Sequence, residues 1–298
     1  MMNWNQLISA KRFGMEEFHE ERQENRSEFQ RDYDRLIFSA PFRRLQNKTQ
    51  VFPLPGSVFV HNRLTHSLEV ASVGRSLGDD VAKALLERHP ELQDSFLPEI
   101  GSIVSAACLA HDLGNPPFGH SGEKAISTFF SEGKGVRLKE KQPNGEQLSP
   151  MEWEDLIHFE GNANAFRILT HQFEGRRKGG FVLTYTTLAS IVKYPFSSSL
   201  AGTKSKFGFF VSEEESFRKI ATELGLILLN EHPLKYARHP LVYLVEAADD
   251  ICYQMMDIED AYKLKILTTE ETKELLMAYF SEERQEHLRK TFLIVNDV

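Results

Sequence analysis

One segment constrains the fold of this chain more than any other, because an apolar helix ends there against a cluster of ionisable side chains. The run Ile103–Leu109 is predominantly apolar and predicts a buried helix, after which residues 110–123 read AHDLGNPPFGHSGE. His111 and Asp112 would therefore lie at the end of a buried helix. Burying an imidazole beside a carboxylate costs free energy unless both find a partner, and a divalent cation can satisfy both. An isolated His-Asp pair is more often a helix cap, so the interpretation depends on the rest of the sequence.

Two more potential ligands lie far away along the chain. The segment HNRLTHS places His66 at the start of a long amphipathic helix, and VEAADDICY places Asp249 in an apolar helical stretch. The candidate metal ligands are His66, His111, Asp112 and Asp249. Two imidazoles and two carboxylates are more typical of a Mg, Mn or Fe site than of a zinc site built from thiolates. They also leave coordination positions for water and substrate. Asp250 competes with Asp249 for the ligand role.

A second histidine–acid pair follows the turn that is rich in Gly and Pro. His120 suits the role of general acid or base, with Glu123 fixing its tautomer and raising its basicity. Asn115, in the same turn, could donate a hydrogen bond to an oxygen of the substrate. Arg63 lies one helical turn before the first candidate ligand and could bind an oxygen beside the metal. His158 is a weaker candidate, because a lone histidine at a helix end is more often a cap.

Six longer sequence words together resemble those of the HD-domain phosphohydrolases, and of the bacterial deoxyguanosinetriphosphate triphosphohydrolases in particular. The words are RRLQNKTQVF, HNRLTHS, HDLGNPPFGHSGE, HFEGNANAFRIL, LASIVKYP and EAADDICY. The similarity runs from about Asn25 to about Asp260 and is far more specific than any one motif. It implies an all-α HD-domain helical phosphohydrolase fold with at most a short β-hairpin, for which Thr49–Asn62 is the best candidate.

The fourth candidate ligand shares a helical register with two residues that follow it. Asp249, Tyr253 and Asp257 recur at i, i+4 and i+8, so one face of a helix carries all three. The resemblance implies that Tyr253 packs against a deoxyribose and that Asp257 accepts a hydrogen bond from its 3′-hydroxyl. A tyrosine ring at C2′ leaves little room for a hydroxyl, which would favour deoxyribose over ribose. The alternative is that Asp257 is an ordinary solvated side chain, but its register with Asp249 favours the functional interpretation.

The resemblance also assigns residues to the triphosphate. Lys193 and Tyr194 would contact the phosphate tail and the sugar, and Gln50 would lie against sugar and base. The implied reaction is metal-dependent hydrolysis of a deoxynucleoside triphosphate, dGTP above the others, to deoxynucleoside and inorganic triphosphate. The residues alone support only metal-assisted hydrolysis of a phosphate ester or anhydride. The alternatives are a 5′-nucleotidase or phosphodiesterase of the same fold, and a nucleotide-sensing or single-stranded-DNA-binding protein with residual hydrolysis.

Composition limits the partners of the chain. Its 298 residues carry a formal net charge of −8, so no overall basic field attracts nucleic acid, and binding to single strands has no support from charge. No apolar run reaches the length of a membrane span, and we expect a cytoplasmic protein without membrane contact. The resemblance, together with 22 phenylalanines, favours a homo-oligomer.

The domain organisation follows the same resemblance. We expect an N-terminal helical arm over residues 1–40 and an HD phosphohydrolase domain over residues 41–298. Relatives continue beyond this point, and the last residues, FLIVNDV, resemble the inside of a helix. We therefore expect the C-terminal part of the family, and some of the base-specificity pocket with it, to be absent.

Overall fold

The computed structural model describes residues 2–17, 26–52, 60–140, 142, 145–175, 178–202 and 205–295, except for the side chains of 292–295. This part of the chain is mostly helical, which confirms the predicted all-α class. Its α-helices are α1 (Trp4–Leu7), α2 (Glu28–Ile37), α3 (Ala40–Arg44), α4 (Arg63–Arg88), α5 (Ile100–Ala110), α6 (Gly119–Ser131), α7 (Pro150–Ile157), α8 (Gly161–Thr170), α9 (Tyr185–Ser190), α10 (Glu214–Glu223), α11 (Val242–Lys263), α12 (Thr269–Met277) and α13 (Glu282–Val295). None of the helices in these ranges combines the length and the apolar character that a membrane span requires.

A small sheet lies away from the position that the sequence suggested. Strands β1 (Leu228–Asn230) and β2 (Lys235–Tyr236) form an antiparallel pair. Of the predicted hairpin, residues 53–59 lie outside the described residues, while Thr49 and Asn62 at its two ends form an isolated antiparallel bridge. Strands as short as β1 and β2 do not show the alternation of apolar and polar residues by which strands are predicted.

Helices α4, α5 and α11 pack together at the centre and carry the candidate ligands. Every residue of α5 is buried, which accounts for its apolar composition. Glycines let α4 approach α5 closely, since a Cβ on Gly78 would lie only 2.7 Å from the Cα of Gly101. A Cβ on Gly74 would lie 2.6 Å from the Sγ of Cys108. Larger side chains at these contacts would push apart the helices that bring the ligands together.

The N-terminal segment packs into the same hydrophobic core as α5. Leu7 and Phe29 are almost fully buried members of that core. Arg12 and Asp32 form a buried ion pair of 2.7 Å, and Asp32 also accepts hydrogen bonds from the backbone N–H and the hydroxyl of Thr184. These bonds satisfy a carboxylate that would be costly to bury alone. The boundary near residue 40 stays a prediction.

Candidate active site

The four candidate metal ligands converge at one end of the central helices. His66 lies in the first turn of α4, His111 caps the C-terminal end of α5, and Asp249 lies in α11. His66 Nε2 is 2.9 Å from Asp249 Oδ1, and His111 Nε2 is 3.5 Å from the same oxygen. His111 Nε2 is also 3.6 Å from Asp112 Oδ1. Ligand atoms of His66, His111 and Asp112 lie within 4.8 Å of one another, a spacing that could hold a metal ion.

The hydrogen bonds of His111 show that this cluster fits a cation. Its Nδ1 is 2.6 Å from the carbonyl oxygen of Cys108, which can only accept, so the ring carries a proton on Nδ1. Its buried Nε2 has no hydrogen-bond partner within the described residues. A divalent cation would satisfy this nitrogen and the carboxylate oxygens beside it.

The charges of the cluster also favour a cation. Burial opposes protonation of His111, but the carboxylates of Asp112 and Asp249 outweigh burial and raise the pKa of His111 to about 9. Burial also acts to raise the pKa of Asp249, but His111 and His66 hold that pKa well below its usual range. The Asp249 carboxylate therefore stays ionised at neutral pH and attracts either a proton on a neighbouring imidazole or a metal that displaces that proton.

Asp112 is held by two donors. Arg63 Nη1 donates to its Oδ2 at 2.6 Å, and Asn115 Nδ2 donates to its Oδ1 at 2.5 Å. The sequence predicts that Arg63 binds an oxygen beside the metal and that Asn115 binds an oxygen of the substrate. In the structure both line the pocket, but their observed contacts orient a candidate ligand carboxylate. The side chain of Asn62 caps α4 and so fixes the direction from which Arg63 approaches.

The second histidine–acid pair lies at the start of α6. His120 Nδ1 is 2.7 Å from Glu123 Oε2, and Glu123 Oε1 accepts a hydrogen bond from the backbone N–H of Gly161 at 2.8 Å. The side chain of His120 is 85% exposed, whereas that of Glu123 is 12% exposed. The preceding turn places Phe118 (φ 65°) and Gly119 (φ 53°) in the left-handed region. A fixed carboxylate thus holds an accessible imidazole by one nitrogen.

Most of the residues assigned to substrate line the same pocket, which has a volume of about 540 Å³. Gln50, Lys193, Tyr194 and Tyr253 all lie in its wall. The Oε1 atom of Gln50 is buried without a hydrogen-bond partner in the described residues, so it is available to a ligand. Lys193 Nζ forms an ion pair with Glu246 at 3.0 Å, so a bound phosphate would have to share this cation.

Asp257 lies farther from the pocket than its register suggested. It is not among the described residues of the pocket wall, and its carboxylate instead interacts with the hydroxyl of Tyr253. The charge of Asp257 raises the pKa of Tyr253, while burial raises the pKa of Asp257 itself. The reason is distance along α11, since eight residues of helix span about 12 Å. A shared helical face does not ensure a shared cavity.

Two residues that the sequence left open differ in their surroundings. Asp250 lines the pocket but is exposed, whereas its neighbour Asp249 contacts both imidazoles. His158 ends α7, and its Nδ1 lies 3.3 Å from Glu154 Oε2. The geometry favours Asp249 as the ligand and gives His158 a local contact one turn back.

Comparison with known proteins shows which proteins this chain resembles. A model of the HD domain matches residues 63–177. A deoxyguanosinetriphosphate triphosphohydrolase-like protein of Pseudomonas aeruginosa is 44% identical over 97% of this chain and 64% of its own length. Proteins of the same name from Synechocystis sp. (45% identity, 89% of this chain, 61% of the relative) and Listeria monocytogenes (36%, 100% and 63%) are also similar.

The chain contains a match to the HD domain and is similar over 89–100% of its length to deoxyguanosinetriphosphate triphosphohydrolase-like proteins. The match to the HD-domain model contains His66, His111 and Asp112, whereas Asp249 comes from a helix beyond it. The chain spans less than two thirds of the length of these relatives.

One cation of the pocket is not indicated by any motif of the sequence. Lys206 lines the pocket, and its Nζ lies 2.8 Å from Glu160 Oε1 and 4.0 Å from Glu123 Oε2. Burial raises the pKa of Glu160 despite the opposing charge of Lys206. The segment around Lys206 has the composition of a connecting loop, so it carried no motif. The available signal was the pair Phe207 and Phe209, both fully buried, which anchor the end of this loop.

Proposed function

We propose that this chain is a metal-dependent phosphohydrolase that converts deoxynucleoside triphosphates, dGTP above the others, to deoxynucleoside and inorganic triphosphate. The observation that carries this proposal is the convergence of two imidazoles and two carboxylates from three parts of the fold in one pocket. The names of the relatives direct the choice of substrate class. No thiolate belongs to the cluster, so the donor set suits Mg, Mn or Fe.

The residues that would hold the ion are His66, His111, Asp112 and Asp249. When bound, a divalent ion would polarise a phosphoryl oxygen and make hydroxide available near neutral pH. Arg63 and Asn115 keep Asp112 in place by donating to both of its oxygens. They also leave the carboxylate less free to rotate, which favours a defined ligand geometry.

His120 is the residue that we propose moves a proton at the α-phosphate. Glu123 holds its Nδ1, which leaves Nε2 as the ring atom able to exchange a proton with the substrate. The backbone N–H of Gly161 fixes Glu123 in turn, so the imidazole is oriented by a chain of two hydrogen bonds. Its high exposure lets His120 reach a substrate in the pocket mouth.

Cations and a tyrosine of the pocket would recognise the rest of the substrate. Lys193 and Lys206 each have a carboxylate partner, and a polyphosphate chain would compete for both ammonium groups. We propose that Tyr253 packs against the deoxyribose at C2′. Asp257 would accept a hydrogen bond from the 3′-hydroxyl in place of its present contact with Tyr253. Tyr194 and Gln50 would complete the contacts to sugar and base.

The experiment is a product assay on the purified chain. Each of the four deoxynucleoside triphosphates is incubated with Mn²⁺ or Mg²⁺, and inorganic triphosphate, pyrophosphate and phosphate are separated and quantified. We expect triphosphate and deoxynucleoside in equal amounts, with no reaction after chelation of the metal. Release of phosphate from deoxynucleoside monophosphates would favour a nucleotidase, and binding without any product would favour a sensor.

A further inference from the structure

Helix α11 contacts both ring nitrogens of His66. Asp249 Oδ1 lies 2.9 Å from Nε2, and Met256 Sδ lies 3.4 Å from Nδ1. Asp249 and Met256 are separated by seven residues, close to two helical turns, so they project from the same face. The imidazole therefore lies between a carboxylate and a thioether of one helix.

A neutral imidazole cannot satisfy both of these contacts. It has one N–H and one lone pair, whereas the Asp249 carboxylate and the Met256 thioether are both acceptors. With the proton on Nε2, the Nδ1 lone pair faces sulfur; with the proton on Nδ1, the Nε2 lone pair faces a carboxylate oxygen. A doubly protonated ring would satisfy both contacts, and so would a metal ion held by Nε2 and Asp249; in the second case Nδ1–H would donate to the thioether.

The two candidate histidine ligands differ in what holds the nitrogen away from the metal. His111 Nδ1 lies 2.6 Å from a backbone carbonyl oxygen, whereas His66 Nδ1 lies against the side chain of Met256. Met256 is 4% exposed and His66 is 1% exposed, so bulk water cannot readily replace the thioether. The partner of His66 is therefore a weak acceptor that a substitution can remove.

We propose that Met256 is a positioning residue that fixes His66 in the Nδ1–H tautomer and keeps its Nε2 available to the metal. The proposal rests on the metal site of the proposed function. Loss of the thioether leaves a buried N–H without an acceptor and lets the proton move to Nε2, where it donates to Asp249 and competes with the metal. The consequence is weaker metal binding, and it does not depend on any substrate.

The test measures Mn²⁺ affinity by competition with a chelator. Met256→Leu keeps the approximate volume without the acceptor, and we expect affinity to fall by about 10- to 100-fold. Met256→Gln supplies an amide oxygen on a side chain of similar length, and we expect it to recover most of the loss. Met255→Leu makes the same change at an exposed neighbour on α11 and serves as the matched control, with affinity unchanged.

Three results would overturn the proposal. Equal affinity in Met256→Leu and Met255→Leu would show that the thioether only packs, and equal losses in the Leu and Gln variants would show that the acceptor is not what matters. Nitrogen NMR of the Zn²⁺-loaded wild type tests the tautomer without any substitution: we expect the His66 proton on Nδ1, and a proton on Nε2 would contradict the proposal. A wild type that binds no metal would instead end the proposed function and this inference with it.

Discussion

The guanidinium of Arg63 donates to the carboxylate of Asp112 across 2.6 Å, which joins the start of α4 to the end of α5 beside the candidate metal site. Both residues are buried, at 7% and 5% exposure. Removing one partner of a buried ion pair leaves an uncompensated charge and typically costs about 3–5 kcal/mol. A bound metal would neutralise the same carboxylate, so stability and metal binding should be linked here.

Arg63→Gln should therefore lower the free energy of unfolding of the metal-free protein by about 3–5 kcal/mol. Saturating Mn²⁺ should reduce this deficit, because the cation supplies the charge that the arginine supplied. Urea denaturation with and without Mn²⁺ measures both quantities, and Arg44→Gln, at an exposed arginine, is the control. A deficit of the same size in both conditions would separate Arg63 from the metal site.

His120→Ala should lower the turnover number by about 100-fold or more while the metal content stays at the wild-type level. The reason is that His120 is held by Glu123 and would transfer a proton without being a ligand. Steady-state kinetics and elemental analysis of the same sample give the two values. His158→Ala is the control, since His158 contacts Glu154 and should be dispensable. Loss of metal together with activity would make His120 a ligand.

The sugar assignment predicts two separate preferences. Tyr253→Ala should reduce the preference for dGTP over GTP, because the ring would no longer exclude a 2′-hydroxyl. With the wild type, kcat/KM should be about 10- to 150-fold lower for ddGTP than for dGTP, since Asp257 would lack its partner. Asp257→Asn should reduce this difference. The measurement is kcat/KM for dGTP, GTP and ddGTP. Equal use of GTP and dGTP by the wild type would contradict the assignment.

The sequence indicated the site best where one helix or one turn fixes the geometry. His111 and Asp112 are adjacent at a helix end, and His120 and Glu123 are one turn apart, so local structure alone brings each pair together. The pairing of Arg63 with Asp112 could not be predicted, because it depends on how closely α4 packs on α5.

Contacts between segments that are far apart along the chain could not be predicted from the sequence for the same reason. Lys206 reaches the pocket only because its loop is anchored by buried phenylalanines. Asp257 shares a helical face with Asp249, but it contacts Tyr253 of the pocket wall and does not itself line the pocket. The fold class was predictable because helical periodicity and the family words agree, whereas β1 and β2 were too short to leave a pattern.

A buried histidine outside the site, His239, should make the stability of the protein depend on pH. His239 is 1% exposed, with Nε2 3.0 Å from the carbonyl oxygen of Leu7 and Nδ1 accepting from the N–H of Leu241. Burial lowers the pKa of His239 from 6.5 to about 4. The unfolded chain therefore binds the His239 proton more tightly than the folded protein does. The stability that comes from keeping His239 neutral is complete above pH 6.5 and is lost as the pH falls towards 4.

The loss should amount to about 3 kcal/mol, since one pKa unit corresponds to about 1.4 kcal/mol. His239→Gln cannot be protonated and should show a flatter decline in the free energy of unfolding between pH 6.5 and pH 4. Urea denaturation at several pH values measures the difference, with His287→Gln at an exposed histidine as the control. The same slope in wild type and His239→Gln would show that His239 does not titrate as described.

The most direct test of the metal site compares two adjacent carboxylates of α11. Asp249 contacts both imidazoles, whereas Asp250 is exposed, so Asp249→Asn and Asp250→Asn make the same chemical change one residue apart. Elemental analysis after loading with Mn²⁺ and removal of free metal gives the content per chain. We predict that wild type and Asp250→Asn retain about one ion per chain and that Asp249→Asn loses most of it. Equal metal content in Asp249→Asn and wild type, or a loss confined to Asp250→Asn, would contradict the account.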